Sequence, residues 1–315
     1  MKTFADFFSL AALIVLFAYI SFNEVRQKSQ PRTTISDETV AERQYVVEDG
    51  PLPAISLDVP REMSFAGEPV PLDIPDVYER LDKELQINTY FHSNTLFLIK
   101  RANRWLPQIE KILEENDVPN DFKYLPLIES NLLNDISPKN AVGYWQILKA
   151  AGKENGLEIT DEVDERYDPL KATEAACRYL KQAYRRFGNW TLVAASYNRG
   201  MNGLERAIDN QKVDNYYDLF LNEETSRYVF RILAIKEIVE NPLKYGFRVN
   251  PKHLYQEEPL RYIEVDETIK DLVSFAKQHN VNYKLIKRHN PWLRDEKLTV
   301  KKGKQYRIAI PEKLN

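Results

Sequence analysis

The pattern of apolar and polar positions divides the chain into four parts. From Phe7 to Phe22 it is apolar almost without interruption, Ser9 and Ser21 being the exceptions, with Lys2 just ahead. A basic start followed by such a run reads as a secretory signal or an uncleaved signal anchor over residues 1–22. Around Ala18-Tyr19-Ile20-Ser21 a bulky residue stands where a cleavage site wants a small one, which favours a retained single-span anchor. Residues 23–76 are polar and rich in proline (Pro31, Pro51, Pro53, Pro60, Pro69, Pro71, Pro75), a composition expected of an extended tether.

From Val77 to about residue 250 the apolar positions recur at helical spacing. Leu96, Ile99, Trp105, Ile109, Ile112 and Leu113 form one such stripe, with Pro107 as a point where the helix could kink. Pro119-Asn120-Asp121 opens a short helix toward Glu129. Asp168-Pro169 is a cap followed by a first-turn proline, Ala172, Ala176, Leu180, Ala183 and Phe187 continue the helix, and Gly188 closes it. Another helix begins after Asn189-Trp190-Thr191, and a later one carries Tyr228, Ile232, Ile235 and Val239 as far as Asn241-Pro242.

Beyond Pro251 the pattern changes. Tyr262 to Val265 reads as a strand, Ile269, Leu272, Val273 and Ala276 as a helix, and Tyr283 to His289 as a second helix. Gln305 to Ile310 alternates as a closing strand after the turn at Gly303. A small β-α-α-β unit is therefore expected over roughly 260–311.

Composition narrows the function. The chain has 315 residues and a formal charge of −3, without the concentrated basic surface of a nucleic-acid protein, so no nucleic-acid partner is expected. Cys177, the one cysteine, lies in an alanine-rich helical segment and reads as a small core residue. Four scattered histidines (His92, His253, His279, His289) have no metal-ligand spacing, so neither a metal nor a cofactor is expected.

The candidate chemistry starts at Leu125-Pro126-Leu127-Ile128-Glu129-Ser130-Asn131-Leu132, where one carboxylate stands among apolar neighbours. Burial disfavours its charged form, and a carboxylic acid that keeps its proton near neutral pH can protonate a leaving-group oxygen. Two further motifs follow: Ala141-Val142-Gly143-Tyr144-Trp145-Gln146-Ile147 and Ala195-Ser196-Tyr197-Asn198-Arg199-Gly200.

Taken in order, these three motifs resemble the soluble-type lytic transglycosylases, which have a goose-lysozyme-like fold. The spacing from Pro119 through Glu129, Gln146, Asp168-Pro169 and Tyr197-Asn198 is most similar to the membrane-bound D branch. The resemblance implies a mainly α fold with a lysozyme-like catalytic domain over 77–250. It also implies a peptidoglycan glycan substrate, cleaved between N-acetylmuramic acid and N-acetylglucosamine with a 1,6-anhydro end on the product. It places the catalytic acid at Glu129. It assigns Ser130, Gly143, Gln146, Tyr197, Asn198 and Tyr228 to binding substrate or orienting that acid. On the residues alone, Ser130 fits a hydroxyl bonded to backbone equally well. Gly143 fits a structural turn, and Tyr144 and Trp145 fit the core. Asn140 and Tyr144 depart from the glycine and leucine usual in the second motif, and Ser196 departs from the alanine usual before Tyr-Asn in the third.

Residues 258–315 resemble a LysM module, through Val265-Asp266-Glu267-Thr268-Ile269, His289-Asn290-Pro291 and the run from Gly303 to Pro311. The loop Trp292-Leu293-Arg294-Asp295 diverges from that pattern. The resemblance leaves two roles open, glycan binding and a structural cap. The N-terminal segment, read as an anchor, puts the main body in the periplasm or cell envelope, tethered to a membrane. Two other functions are consistent with the same motifs. One is a hydrolytic muramidase, with Asp135 or Asp168 as second carboxylate, although Asp168 is better explained as a helix cap. The other is a non-catalytic peptidoglycan-binding protein.

Overall fold

A computed structural model of the chain describes residues 55–312. The anchor expected over 1–22 and the first part of the expected tether lie outside the described residues. Among those described, no helix is long and apolar enough to cross a membrane.

Residues 55–76 are not a tether. Strands β1 (Ser64–Phe65) and β2 (Glu68–Pro69) pair antiparallel around a turn at Ala66 and Gly67, both with positive φ. Phe65 is fully buried and meets Phe122 edge-on, with ring centroids 5.1 Å apart. The Glu68 carboxylate accepts hydrogen bonds from Trp190 N (2.6 Å), Thr191 N (2.9 Å) and Thr191 Oγ1 (2.6 Å), and so caps a helix more than a hundred residues away. Asp121 accepts from Ala66 N and pairs with Lys236. The average composition of the segment hides one buried aromatic ring and one carboxylate, Glu68, with distant partners.

The helical part consists of α1 (Pro75–Tyr90), α2 (His92–Glu115), α3 (Leu125–Ser130), α4 (Lys149–Glu154), α5 (Pro169–Phe187), α6 (Trp190–Arg199), α7 (Met201–Gln211) and α8 (Glu223–Glu240). Helix α2 continues through Pro107. The expected short helix before Glu129 is a 3-10 turn, Asn120–Tyr124, running into α3. Asp168 caps α5 by accepting from Leu170 N and Lys171 N, and Gly188 ends it in the left-handed conformation. Helix α8 packs against α1, α3 and α6 and is apolar on nearly every side, with Tyr228, Val229, Phe230, Ile232, Leu233 and Ile235 all buried. A helix buried over most of its length is the central post of its domain, and polar groups on its inner faces, Tyr228 among them, meet partners there.

The C-terminal unit is the β-α-α-β arrangement expected. Strand β3 (Leu260–Val265) pairs antiparallel with β4 (Tyr306–Pro311), Ile263 opposite Ile308, around α9 (Leu272–Gln278) and α10 (Tyr283–His289). Ile269 is not helical: it bridges to Leu298, and α9 starts three residues later, where Asp271 accepts from Val273 N and Ser274 N. Asn290 is buried and clamps β4, donating to Ala309 O and accepting from Ala309 N, each at 2.7 Å. Its core of Leu272, Ile286, Leu293, Leu298, Ile308 and Ile310 also takes in Val163 from the helical part.

Candidate active site

Glu129 sits at the end of α3, where Leu125, Pro126, Leu127 and Ile128 are buried and Asn131 leaves the helix at φ 53°. The sharp exit turns the last helical residues toward α8. There the Tyr228 hydroxyl, itself buried, donates to Glu129 Oε1. Three residues further along α8, Arg231 Nη2 donates to Ile128 O at 2.7 Å and places its charge near the acid. Burial pushes the Glu129 carboxyl above the usual carboxylate range. The Tyr228 hydrogen bond and the Arg231 charge oppose that rise, and the negative charge of Glu224 adds to it. Burial, and then the charge of Glu129, hold the hydroxyls of Tyr228 and Tyr197 well above their ordinary range. Both tyrosines therefore remain neutral donors. With Oε1 engaged by Tyr228, the proton of neutral Glu129 belongs on Oε2.

Residues 140–147 form the loop beside the acid. Gly143 has φ +80°, and a Cβ there would stand 2.1 Å from Arg166 O, so this position needs glycine both for its backbone and for a close approach. Asn140, where the related motif has glycine, takes φ 60°, a conformation asparagine tolerates. Gln146 is also left-handed, at φ 47°, and its amide donates to Gly143 O (2.9 Å) and Asp135 O (3.1 Å). Strain of this kind persists only where the surroundings hold it. Trp145 is fully buried and donates to Thr173 Oγ1, while Tyr144 is buried edge-on to Trp105, so both aromatics are core.

The loop is tied to the helices around the acid from two sides. The Ser130 hydroxyl donates to Tyr144 O (2.9 Å) and to Pro126 O (3.2 Å) and makes no hydrogen bond to Glu129; it holds the loop against α3. Tyr197, on α6, donates to Trp145 O at 2.8 Å. Asn198 bridges to the start of α8: its amide donates to Glu224 Oε1 (3.0 Å) and its carbonyl accepts from Thr225 Oγ1 (2.8 Å). Gln146, Tyr197 and Asn198 line one cavity of about 270 Å³, with Leu148, Ala151 and Tyr179. Ser130 and Tyr228 lie buried.

Sequence reasoning missed Arg231 and Glu224. Arg231 falls one turn after Tyr228 on the same helix face, a spacing that could have pointed to it. Glu224 carries no such signal. As to a second carboxylate, Asp168 is committed to capping α5. Asp135 is exposed, and it is its backbone carbonyl that holds Gly143 N and Gln146.

A half-buried acid held by a neutral tyrosine, next to residues that line a mostly apolar cavity which Glu129 itself does not line, is the candidate site of a mainly helical, lysozyme-like domain. Comparison with known families gives that class its name: the chain carries a transglycosylase SLT domain over residues 107–220, followed by a soluble lytic transglycosylase C-terminal LysM-like domain over 261–314. Over 259 residues, 79% of this chain, it is 27% identical to membrane-bound lytic murein transglycosylase D of Escherichia coli (strain K12). Over 114 residues, 36% of this chain, it is 33% identical to a putative tributyltin chloride resistance protein of Alteromonas sp. (strain M-1). The chain spans 55% of the length of each of these relatives. Among solved structures, an inactive mutant of lytic transglycosylase Slt from Pseudomonas aeruginosa aligns at a TM-score of 0.35 and 16% identity, over 48% of this chain and 26% of that one.

Proposed function

We propose that this chain is a peptidoglycan lytic transglycosylase that cleaves the β-1,4 bond between N-acetylmuramic acid and N-acetylglucosamine and leaves a 1,6-anhydro end. The observation that carries the reading is the environment of Glu129: one oxygen engaged by neutral Tyr228, the other free to hold a proton, and burial that keeps the proton there. Glu129 protonates the glycosidic oxygen as the C1–O bond breaks. Its carboxylate then takes the proton from the C6 hydroxyl of the same sugar, whose oxygen bonds to C1. The proton count closes with one acid and no water. Hydrolysis would require a carboxylate positioned to activate water. The commitment of Asp168 to a helix cap and the exposure of Asp135 favour the single-acid route. Gln146 keeps its carbonyl oxygen, and Asn198 one amide N–H, for the acetamido groups of the strand.

The reading extends to location. The apolar run at 1–22 anchors the chain to a membrane and places the enzyme in the periplasm or cell envelope, where its glycan substrate lies. The SLT and LysM-like domains support peptidoglycan as the partner. Glu129→Gln tests the proposal. The variant keeps the shape of the site and loses the transferable proton, so it should still bind isolated sacculi and release no muropeptides. Retained cleavage by that variant would remove Glu129 from the mechanism.

A further inference from the structure

The hairpin at 158–167 joins the two units and touches the active-site loop. Its own frame is closed by Thr160 N to Val163 O (2.7 Å), Glu165 N to Glu158 O (2.9 Å) and a bridge between Ile159 and Asp164. Leu157 and Ile159 are buried in the core of the helical part, and Val163 in that of the C-terminal unit. A segment rooted in two cores moves only if one of them yields.

On one side the hairpin docks on Trp292-Leu293-Arg294, the stretch that departs from the LysM pattern. Val163 bridges to Leu293, Asp164 N donates to Trp292 O (2.9 Å), and Arg294 N donates to Glu162 O (2.8 Å). The Arg294 guanidinium lies 3.8 Å over the Tyr167 ring. The Glu162 carboxylate accepts from Thr299 N (2.7 Å) and pairs with Lys297, and Glu158 pairs with Lys304.

On the other side the hairpin grips the loop beside Glu129. Arg166 is buried and locked by two bonds to Asp164 (2.9 and 2.7 Å). Its remaining nitrogen donates to Asn140 O (3.2 Å) and Ile147 O (3.1 Å), the two ends of the loop. Arg166 O presses against Gly143, and Asn134 donates to Tyr167 O. Asp164 thus bonds the C-terminal unit through its backbone and holds, through its side chain, the arginine that spans the loop.

We propose that the C-terminal unit is a positioning element of the active site: through Trp292-Leu293-Arg294 it fixes the 158–167 hairpin, and Arg166 carries that constraint to the loop bearing Gly143 and Gln146. Its effect on turnover rests on the lytic transglycosylase reading; the mechanical coupling does not. Deleting the unit would strip the cover from Val163, so loss of activity on deletion would not separate glycan binding from positioning. Point variants at the seam make that separation.

The test uses the full chain carrying Glu162→Ala and Arg294→Ala together. Backbone hydrogen exchange is read across residues 140–147 without substrate, and kcat and KM are read on a soluble peptidoglycan fragment. Exchange over 140–147 should quicken roughly tenfold, and kcat should fall by a similar factor with KM little changed, a fraction of what an ångström-scale misplacement costs. Retention on sacculi should be unchanged. Exchange over 140–147 at the wild-type rate would overturn the proposal, whatever happens to turnover. Should the double variant not fold, Arg294→Ala alone removes the contact with the Tyr167 ring at the seam, and the same two outcomes decide. If the wild-type chain shows no turnover, the function reading fails, and exchange alone still decides the coupling.

Discussion

Gly143→Ala puts the geometry of the active-site loop to a quantitative test. The new methyl group would lie 2.1 Å from Arg166 O, where ordinary contact begins at 3.4 Å, so the loop must retreat by about 1.3 Å. That carbonyl belongs to a residue locked by the Asp164 pair and cannot give way cheaply. Retreat disturbs the bonds from Gly143 N to Asp135 O, from Gln146 Nε2 to Gly143 O and from Ser130 Oγ to Tyr144 O. At about 1 kcal/mol for each of the three bonds, and about 1–2 kcal/mol for alanine in a left-handed backbone, the total comes to about 4–5 kcal/mol. Gly303→Ala is the control: it has the same φ of +80° and nothing within 4 Å of the added atom, so only the backbone cost of about 1–2 kcal/mol should apply. Urea denaturation of the two variants gives the difference, and turnover of sacculi should fall by about a hundredfold in Gly143→Ala alone. A Gly143→Ala variant no less stable than Gly303→Ala, and fully active, would refute the account of why glycine stands there.

The pH dependence of turnover should follow the charges around Glu129. The protonated acid is the active form, so activity is lost as pH rises through its raised pKa. The charge of Glu224 raises that pKa, so Glu224→Gln should move the alkaline limb of kcat/KM to lower pH. The Tyr228 hydrogen bond lowers it, so Tyr228→Phe should move the limb to higher pH; limbs that stay in place in both variants would contradict the assignment. At the N-terminal arm, Glu68→Ala removes three hydrogen bonds from the start of α6 and should cost about 1–2 kcal/mol in thermal or urea unfolding. A change within about 0.5 kcal/mol, as for an ordinary surface residue, would return the arm to the status of a loose tether.

Where chemistry is local, the sequence was a sufficient guide. Asp168-Pro169 and Gly188 bound α5 because a cap, a first-turn proline and a left-handed glycine act within a few residues. Glu129, Tyr197 and Tyr228 could be named because their motifs are short and ordered, and the structure brings Tyr228 onto Glu129 across 99 positions of sequence. Contacts that depend on the fold were not legible. Phe65 and Glu68 sit in a proline-rich stretch whose average composition describes a tether, and their partners lie far along the chain. Ser130 fits either an acid-orienting hydroxyl or one bonded to backbone; its partners are two carbonyls, and the one fourteen residues on, in the active-site loop, is set by the fold. Nothing in Trp292-Leu293-Arg294 indicates that its departure from the LysM pattern serves a seam, because the matching surface is a hairpin in another domain.

The central claim is that one acid at position 129 both gives and takes the proton, so that the C6 hydroxyl of the sugar, and not water, closes the reaction. Mass spectrometry of the muropeptides released from purified sacculi in heavy-oxygen water tests this directly. The account predicts products ending in 1,6-anhydro sugar, each one water lighter than a reducing end and free of solvent oxygen. Reducing ends labelled with heavy oxygen would contradict it and point to a hydrolase on the same fold.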